Sequence, residues 1–181
     1  RECLNRKMDP ETAMHTLHYM MSLNGLDDMY ATLDLALIDL QDGLLWSWKA
    51  GSMSTYIKRG NDFIRIDSKS VPVGFLPSFS VEAKKEELKS GDVLVMMTDG
   101  MFQGDVSLEV QEKALYGILD KYGHLKSDEV ANRVVNEMER RLQAAGDDRT
   151  VLVLKINNVP NEWSSFTHYS KAGSRGTMTE W

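Results

Sequence analysis

The fold of this chain is decided by the stretch Gly91-Asp92-Val93-Leu94-Val95-Met96-Met97-Thr98-Asp99-Gly100-Met101-Phe102. Its apolar run, residues 93–97, has the length of a strand and no polar alternation, which predicts a strand buried on both faces. The strand ends abruptly at Asp99 and Gly100, where glycine permits a sharp reversal. A carboxylate at the mouth of a core strand is costly unless a positive charge meets it. We therefore expect the Asp99 side chain to face outward into a cleft.

A second acidic turn precedes the other strongly apolar strand. Asp147 and Asp148 lead into the strand that we predict at residues 151–156. One strand runs into its acidic turn and the other runs out of its own, so two antiparallel neighbours would bring Asp99 and the pair Asp147 and Asp148 to one sheet edge. Clustered carboxylates suit a hard divalent cation such as Mg²⁺ or Mn²⁺. Each turn alone is more typical of an ordinary turn or cap, and only the pair predicts a metal site.

The composition fits a single globular domain and excludes several classes of protein. The 181 residues include 21 basic and 27 acidic side chains, a net charge of −6, and no basic stripe suits a nucleic acid. No apolar run is long enough to cross a bilayer, and no signal peptide is recognisable. The one cysteine, Cys3, cannot form an internal disulfide, which agrees with a reducing, cytoplasmic location.

The remaining pattern predicts a helix, several antiparallel strands, two helices and a last strand. Asp9 and Pro10 open the first helix as N-cap and first helical residue, and Asn24-Gly25 ends it. This order is typical of an α+β fold with helices outside a sheet-rich core. The predicted strands cover residues 31–40, 44–48, 54–58, 63–66, 79–88, 93–97 and 151–156, and the later helices cover residues 108–122 and begin at residue 127.

Four further polar residues have two interpretations each. Asp34 lies inside a predicted strand, either as a polar residue on its wetter face or as a residue that supports the metal site. His15 and His18 share a helix at a spacing that a metal pair would use, but no third ligand is in view, so partly exposed structural histidines are the better interpretation. Arg149 is either a surface residue or a phosphate contact.

Together these segments resemble the catalytic domain of metal-dependent Ser/Thr protein phosphatases of the PPM (PP2C-like) class. The turns Thr98-Asp99-Gly100 and Asp147-Asp148-Arg149-Thr150 carry the likeness to the class. The strand around Asp34 narrows it to the stage II sporulation protein E branch, and the motifs run in family order over about residues 9–158. The resemblance implies an αββα sandwich: two antiparallel sheets back to back, helices outside, and a two-metal site at one end.

The resemblance also implies an activity, a cofactor and a partner. Asp99 and Asp147 match metal ligands of the family and would be the catalytic and metal-binding residues, whereas Asp148 matches a neighbouring, usually non-ligand position. The reaction would be Mn²⁺- or Mg²⁺-assisted hydrolysis of a phosphoserine or phosphothreonine ester, with two ions in the complete family site. For the sporulation branch, the substrate would be a phosphorylated anti-sigma-factor antagonist.

One family motif has no counterpart here, the Asp-Gly-x-Gly-type turn whose carboxylate bridges both ions. Its lack predicts an N-terminally truncated phosphatase domain at residues 1–158, followed by a partly loose tail at residues 159–181. We expect one weakly bound ion or none and little activity from this chain, with the parent protein as the enzyme. The alternative is a non-catalytic phosphatase-fold module that binds a partner protein. Missing strands would expose a sheet edge that a homodimer can cover. We expect no membrane contact from this chain, and any membrane anchor would belong to another part of the parent protein.

Overall fold

The computed structural model describes residues 8–23, 30–67, 69–102, 106–142 and 148–157. These residues form four layers: one helix, two antiparallel sheets face to face, and a pair of helices. The elements are α1 (Pro10–Leu23), β1 (Leu33–Ile38), β2 (Leu44–Ala50), β3 (Thr55–Arg59), β4 (Asp62–Ile66), β5 (Lys84–Glu87), β6 (Val93–Met97), a 3-10 helix (Asp99–Phe102), α2 (Leu108–Tyr122), α3 (Ser127–Leu142) and β7 (Val151–Lys155).

Two antiparallel sheets form the centre of the molecule. The smaller sheet has the strand order β1-β2-β5, and the larger has the order β4-β3-β6-β7. In the larger sheet, β6 lies between β3 and β7, and all five of its residues are buried. This burial confirms the prediction made from its unbroken apolar run, because a central strand covered on both faces has no polar side to show.

Three apolar layers hold the sandwich together. The alternation of side chains along each strand sends one set between the sheets and the other outward to the helices. On β6, for example, Leu94 and Met96 face the other sheet, while Val93, Val95 and Met97 pack against α2 and α3. The outer face of the smaller sheet packs on α1 through a third cluster, whose buried members are Met14, Trp48, Ala50, Val73 and Val81.

The fold class is therefore the predicted α+β sandwich of αββα type. The predicted edge strand at residues 79–88 is shorter than expected, since only Lys84–Glu87 pair with β2. His15 is partly exposed as predicted, but the same prediction is wrong for His18, which is buried. Its ring stacks on Phe79, and its Nδ1 accepts the Gly74 N–H at 3.0 Å. The predicted tail at residues 159–181 lies outside the described residues.

Candidate functional site

The two acidic turns meet at one end of the larger sheet. Strands β6 and β7 are antiparallel neighbours, and Met97 lies opposite Val151 at the last step of their register. Just beyond it, the Thr98 N–H donates to the Thr150 carbonyl at 3.0 Å, and the Thr150 N–H donates to Thr98 Oγ1 at 2.9 Å. Thr98 Oγ1 also lies 3.4 Å from the Asp148 carbonyl oxygen, so the predicted adjacency of the two turns is confirmed for the backbone of Asp148.

The backbone approach between the turns is close enough to require glycine. A Cβ atom added at Gly100 would lie 2.4 Å from the carbonyl oxygen of Asp148. Asp99 opens the 3-10 helix, is exposed, and accepts the Gly100 N–H through Oδ1 at 3.0 Å. Asp147, the second predicted metal ligand, lies outside the described residues, so its place beside Asp99 stays a prediction.

Asp99 lines a cleft of about 170 Å³ at this end of the sandwich. The cleft lies where the end of β6 meets the start of β1 and the loop that follows β2. Its lining is mixed, with hydroxyl, carboxylate and thioether groups around one cavity. The lining residues are Thr32, Asp34, Gly51, Ser52, Met53, Met97, Thr98 and Asp99.

Asp34 reaches this cleft from between the two sheets, so the interpretation as a residue on a wetter face is wrong. In the β1–β2 hairpin, Asp34 lies directly opposite Lys49. The Lys49 ammonium donates to Asp34 Oδ2 at 2.6 Å, and the Lys49 side chain is 1% exposed. Thr55 Oγ1, at the start of β3, lies 3.4 Å from the same oxygen. An opposite charge in register is what makes the inward carboxylate tolerable.

Burial dominates the electrostatics of this ion pair. It raises the pKa of the Asp34 carboxyl, against the hydrogen bond and charge of Lys49. It lowers the pKa of the Lys49 ammonium, against the same attraction from Asp34. Both directions follow from desolvation, which penalises the charged form of each group. The pair is therefore held by its geometry at a cost in folding free energy, as is typical of buried ion pairs.

Lys49 also shapes the loop that forms the cleft wall. Its ammonium donates to the Met53 carbonyl at 2.7 Å. Gly51, at the start of this loop, has a φ of 64°, and a Cβ there would lie 2.4 Å from the Pro72 ring. The Gly51 N–H donates to the Ser70 carbonyl at 2.9 Å. The buried Lys49 ammonium thus connects the position of Asp34 to the position of residues 51–53.

Two oxygens at the cleft have no protein partner among the described residues. They are Asp34 Oδ1 and Ser52 Oγ, and both atoms are buried. With the exposed carboxylate of Asp99, the residues Asp34 and Ser52 give the cleft the oxygen-rich lining that Mg²⁺ and Mn²⁺ prefer. Within the described ranges, no group of three or more His, Cys, Asp or Glu side chains could hold a metal ion. These donors fit a hydrated cation held by few protein ligands.

The sequence pattern did not single out Lys49 or Ser52, and it left open whether Asp34 lies on a wetter face or supports the metal site. A usable signal was present in the hairpin. Counting outward from the turn at residues 39–43 pairs Ile38 with Leu45 and, four residues further, Asp34 with Lys49. Opposite charges in direct register inside two apolar strands indicate a buried pair. Arg149 forms an ion pair with Glu139 at 3.3 Å, and its role as a phosphate contact stays a prediction.

Comparison with known proteins identifies the family of this chain. The sequence profile of the family "Stage II sporulation protein E (SpoIIE)" matches residues 1–157. Stage II sporulation protein E of Bacillus subtilis (strain 168) is 34% identical over 163 residues, which are 90% of this chain and 20% of that protein. The chain thus spans about one fifth of the length of this relative.

Two solved structures share the fold. One is the PP2C phosphatase domain, with a fragment of the regulatory domain, of the Bacillus subtilis protein. It matches with a TM-score of 0.72 at 34% identity, covering 86% of this chain and 47% of that chain. The other is the manganese-presoaked phosphatase domain of that protein, with a TM-score of 0.63 at 33% identity, covering 88% of this chain and 73% of that chain.

The sandwich with two acidic turns at one end is a phosphatase fold of the PP2C class. Within that class, the chain belongs to the stage II sporulation protein E family. Over the part of the chain that the structure describes, no helix combines the length and the apolar character needed to span a membrane.

Proposed function

We propose that this chain is part of a metal-dependent protein phosphatase that hydrolyses a phosphoserine or phosphothreonine ester. The observation that carries the proposal is the backbone ladder between Thr98 and Thr150, which supports Asp99 at the rim of a cleft. When bound, a divalent cation supplies the activated water and the charge neutralisation that phosphoryl transfer requires. The family membership and the manganese-presoaked structure of the Bacillus subtilis relative support Mn²⁺ or Mg²⁺ as that cation.

The residues of this chain have separate roles in the proposed reaction. Asp99, and Asp147 by its position in the second motif, would hold the cation. The turn at Gly100 keeps the two acidic segments in contact because its lack of a Cβ allows the approach to Asp148. Lys49 holds the floor and wall of the cleft through Asp34 and the Met53 carbonyl.

The proposed substrate is a phosphorylated anti-sigma-factor antagonist, a protein rather than a small molecule. The cleft supports this choice, since it lies at the surface beside an exposed Asp99 and can receive a side chain from a bound protein. The proposed location is cytoplasmic, with any membrane anchor elsewhere in the parent protein. A homodimer that covers an exposed sheet edge belongs to the same proposal.

We expect this chain by itself to bind one ion weakly or none and to turn over slowly. Within the described part of the chain, the protein donors are too few to neutralise two divalent cations. Ions about 4 Å apart repel with four times the unit-charge Coulomb energy for that distance before screening. Two carboxylates at one rim compensate this repulsion poorly.

Titration with Mn²⁺ tests the proposal. Calorimetry on this chain should show one weak site that Asp99→Asn removes, because the exposed carboxylate is the anchor. A phosphoserine peptide should be hydrolysed slowly or not at all in Mn²⁺. Binding of Mn²⁺ that Asp99→Asn leaves unchanged would contradict the metal site and favour the partner-binding module. Rapid Mn²⁺-dependent turnover that Asp99→Asn abolishes would contradict the expected weak activity.

A further inference from the structure

The buried carboxylate of Asp34 has one committed oxygen and one unused oxygen. Oδ2 accepts from Lys49 at 2.6 Å and lies 3.4 Å from Thr55 Oγ1. Oδ1 is buried without a hydrogen-bond partner among the described residues, although Asp34 lines the cleft with Asp99. Buried carboxylate oxygens almost always accept hydrogen bonds, so an acceptor left unused by the protein points to a donor that occupies the cleft.

The charge of Lys49 restricts what that donor is. An ammonium 2.6 Å from Oδ2 neutralises the carboxylate and would repel a divalent cation bound directly to the same group. A water molecule bound to the cation carries no net charge, so Lys49 does not repel it in this way. Because the cation polarises this water, it donates a stronger hydrogen bond than a free water does. The cleft, at about 170 Å³, has room for about five waters at about 30 Å³ each, which suits an ion that keeps part of its hydration shell.

We propose that Asp34 is a positioning residue of the metal centre: its Oδ1 accepts hydrogen bonds from water carried by a cation at Asp99. Ser52 Oγ, the second unpartnered oxygen of the same cleft, takes part in this hydration network. Lys49 holds Asp34 and the loop of Ser52 in one arrangement by bonding both Oδ2 and the Met53 carbonyl. This inference rests on the proposed function, since it requires a cation at Asp99.

Binding of Mn²⁺ to the whole chain provides a test that does not depend on activity. Free Mn²⁺ is counted by electron paramagnetic resonance, and the relaxation of water protons reports the water that the bound ion carries. Asp34→Asn places an amide donor where the acceptor was, so the Kd for Mn²⁺ should rise about tenfold or more. The water relaxation of the remaining complex should change with it.

Asp62→Asn is the matched control. It removes the same charge from an exposed position in the β3–β4 hairpin, at the far end of β3 from Thr55. Its Kd should equal that of the unmodified chain. Circular dichroism shows whether Asp34→Asn is folded. If it is not, the double variant Asp34→Asn with Lys49→Met replaces it, because this variant leaves no unpaired buried charge. Its affinity for Mn²⁺ should fall by the same factor.

The outcomes separate this inference from the proposed function. Loss of binding in Asp99→Asn with unchanged binding in the Asp34 variants overturns the role of Asp34 and leaves the metal site standing. Unchanged binding in Asp99→Asn overturns the metal site and the inference together, and an unmodified chain that binds no Mn²⁺ overturns the inference. Equal weakening by Asp34→Asn and Asp62→Asn shows a general charge effect and also overturns the inference. Weakening by the Asp99 and Asp34 variants alone supports it.

Discussion

At the scale of single residues, the pair of Asp34 and Lys49 is the most unusual feature of the sandwich. The space between two packed sheets is normally apolar, and here it contains an ammonium that is 1% exposed. Burial raises the pKa of Asp34 and lowers the pKa of Lys49, so each group is less stable in its charged form than in water. A cost of this kind is expected where a site needs a fixed polar group.

Lys49→Met should destabilise the fold by about 3–5 kcal/mol near neutral pH, because it leaves the Asp34 carboxylate buried without its partner. The raised pKa of Asp34 gives the sign of the pH dependence. A raised pKa favours the folded state at low pH, and this advantage is lost as the pH rises through the folded-state pKa. The cost of Lys49→Met, measured by urea unfolding, should therefore be smaller at about pH 5 than at about pH 8.

The double variant Asp34→Asn with Lys49→Met controls for lost packing. It removes both charges while Met keeps most of the Lys stem, so it should cost less than Lys49→Met alone and show little pH dependence. A double variant as unstable as the single one at every pH would show that shape, and not charge, holds this position.

At the scale of elements, α1 is fastened to the sandwich by contacts from distant segments. Met14 packs among Trp48 and Val73, and Trp48 Nε1 donates to Glu11 Oε1 at 3.2 Å. His18 accepts the Gly74 N–H through Nδ1 and stacks on Phe79 with ring centroids 4.9 Å apart. The helix covers the outer face of the smaller sheet, whose β1 strand carries Asp34.

His18→Ala should loosen α1 without unfolding the rest of the molecule. The change leaves the Gly74 N–H without its acceptor, at a cost of about 1–3 kcal/mol, and removes the stacked ring. Amide hydrogen exchange in Pro10–Leu23 should accelerate about tenfold or more, while exchange in α2 and α3 stays unchanged. Leu23→Ala, at an 82% exposed position, is the control and should leave exchange in α1 nearly unaltered. Equal acceleration in all three helices would contradict a local role for His18.

At the scale of the whole molecule, the two ends of the sandwich are held differently. The end with Asp99 carries the cleft, and the opposite end is closed by Arg59. This side chain bonds Asp92 with Nη2 to Oδ2 at 2.7 Å and Nε to Oδ1 at 2.9 Å, and it reaches Glu86 of the other sheet at 3.2 Å. The bonded carboxylate of Asp92 raises the pKa of the Arg59 guanidinium. The guanidinium thus connects the two sheets at the end of the sandwich opposite the cleft.

Arg59→Met should lower the free energy of unfolding by about 3 kcal/mol, because Asp92 is 1% exposed and loses its charge partner. Arg59→Lys should recover only part of this, since an ammonium cannot form the two parallel bonds of a guanidinium. The midpoint of urea unfolding measures both. Arg140→Met, which breaks an exposed pair with Glu137, is the control and should leave the midpoint of urea unfolding nearly unchanged. Similar losses in the Arg59 and Arg140 variants would show that burial of the pair is unimportant.

The amino-acid sequence by itself determined the elements and the two acidic turns. The apolar run at residues 93–97, the hairpin turns and the caps are local signals, because strand length, turn chemistry and helix periodicity depend on neighbours in the chain. The order of these signals predicted an α+β fold with helices outside a sheet-rich core, and the two acidic turns predicted that β6 and β7 meet as antiparallel neighbours at Asp99. The αββα arrangement of the two sheets was implied by the family resemblance.

Only the tertiary structure decided which polar groups lie beside those turns. The hairpin register pairs Asp34 with Lys49, but no periodicity within one strand reports which face of it another sheet will cover. Ser52 joins the pair because two sheets stack and a loop closes over their common edge. The burial of His18 likewise depends on Gly74 and Phe79, which are more than fifty residues away in the chain. Burial is a property of packing between distant segments. Local pattern therefore predicts the strands, whereas the packing of the two sheets decides which polar groups line the cleft beside Asp99.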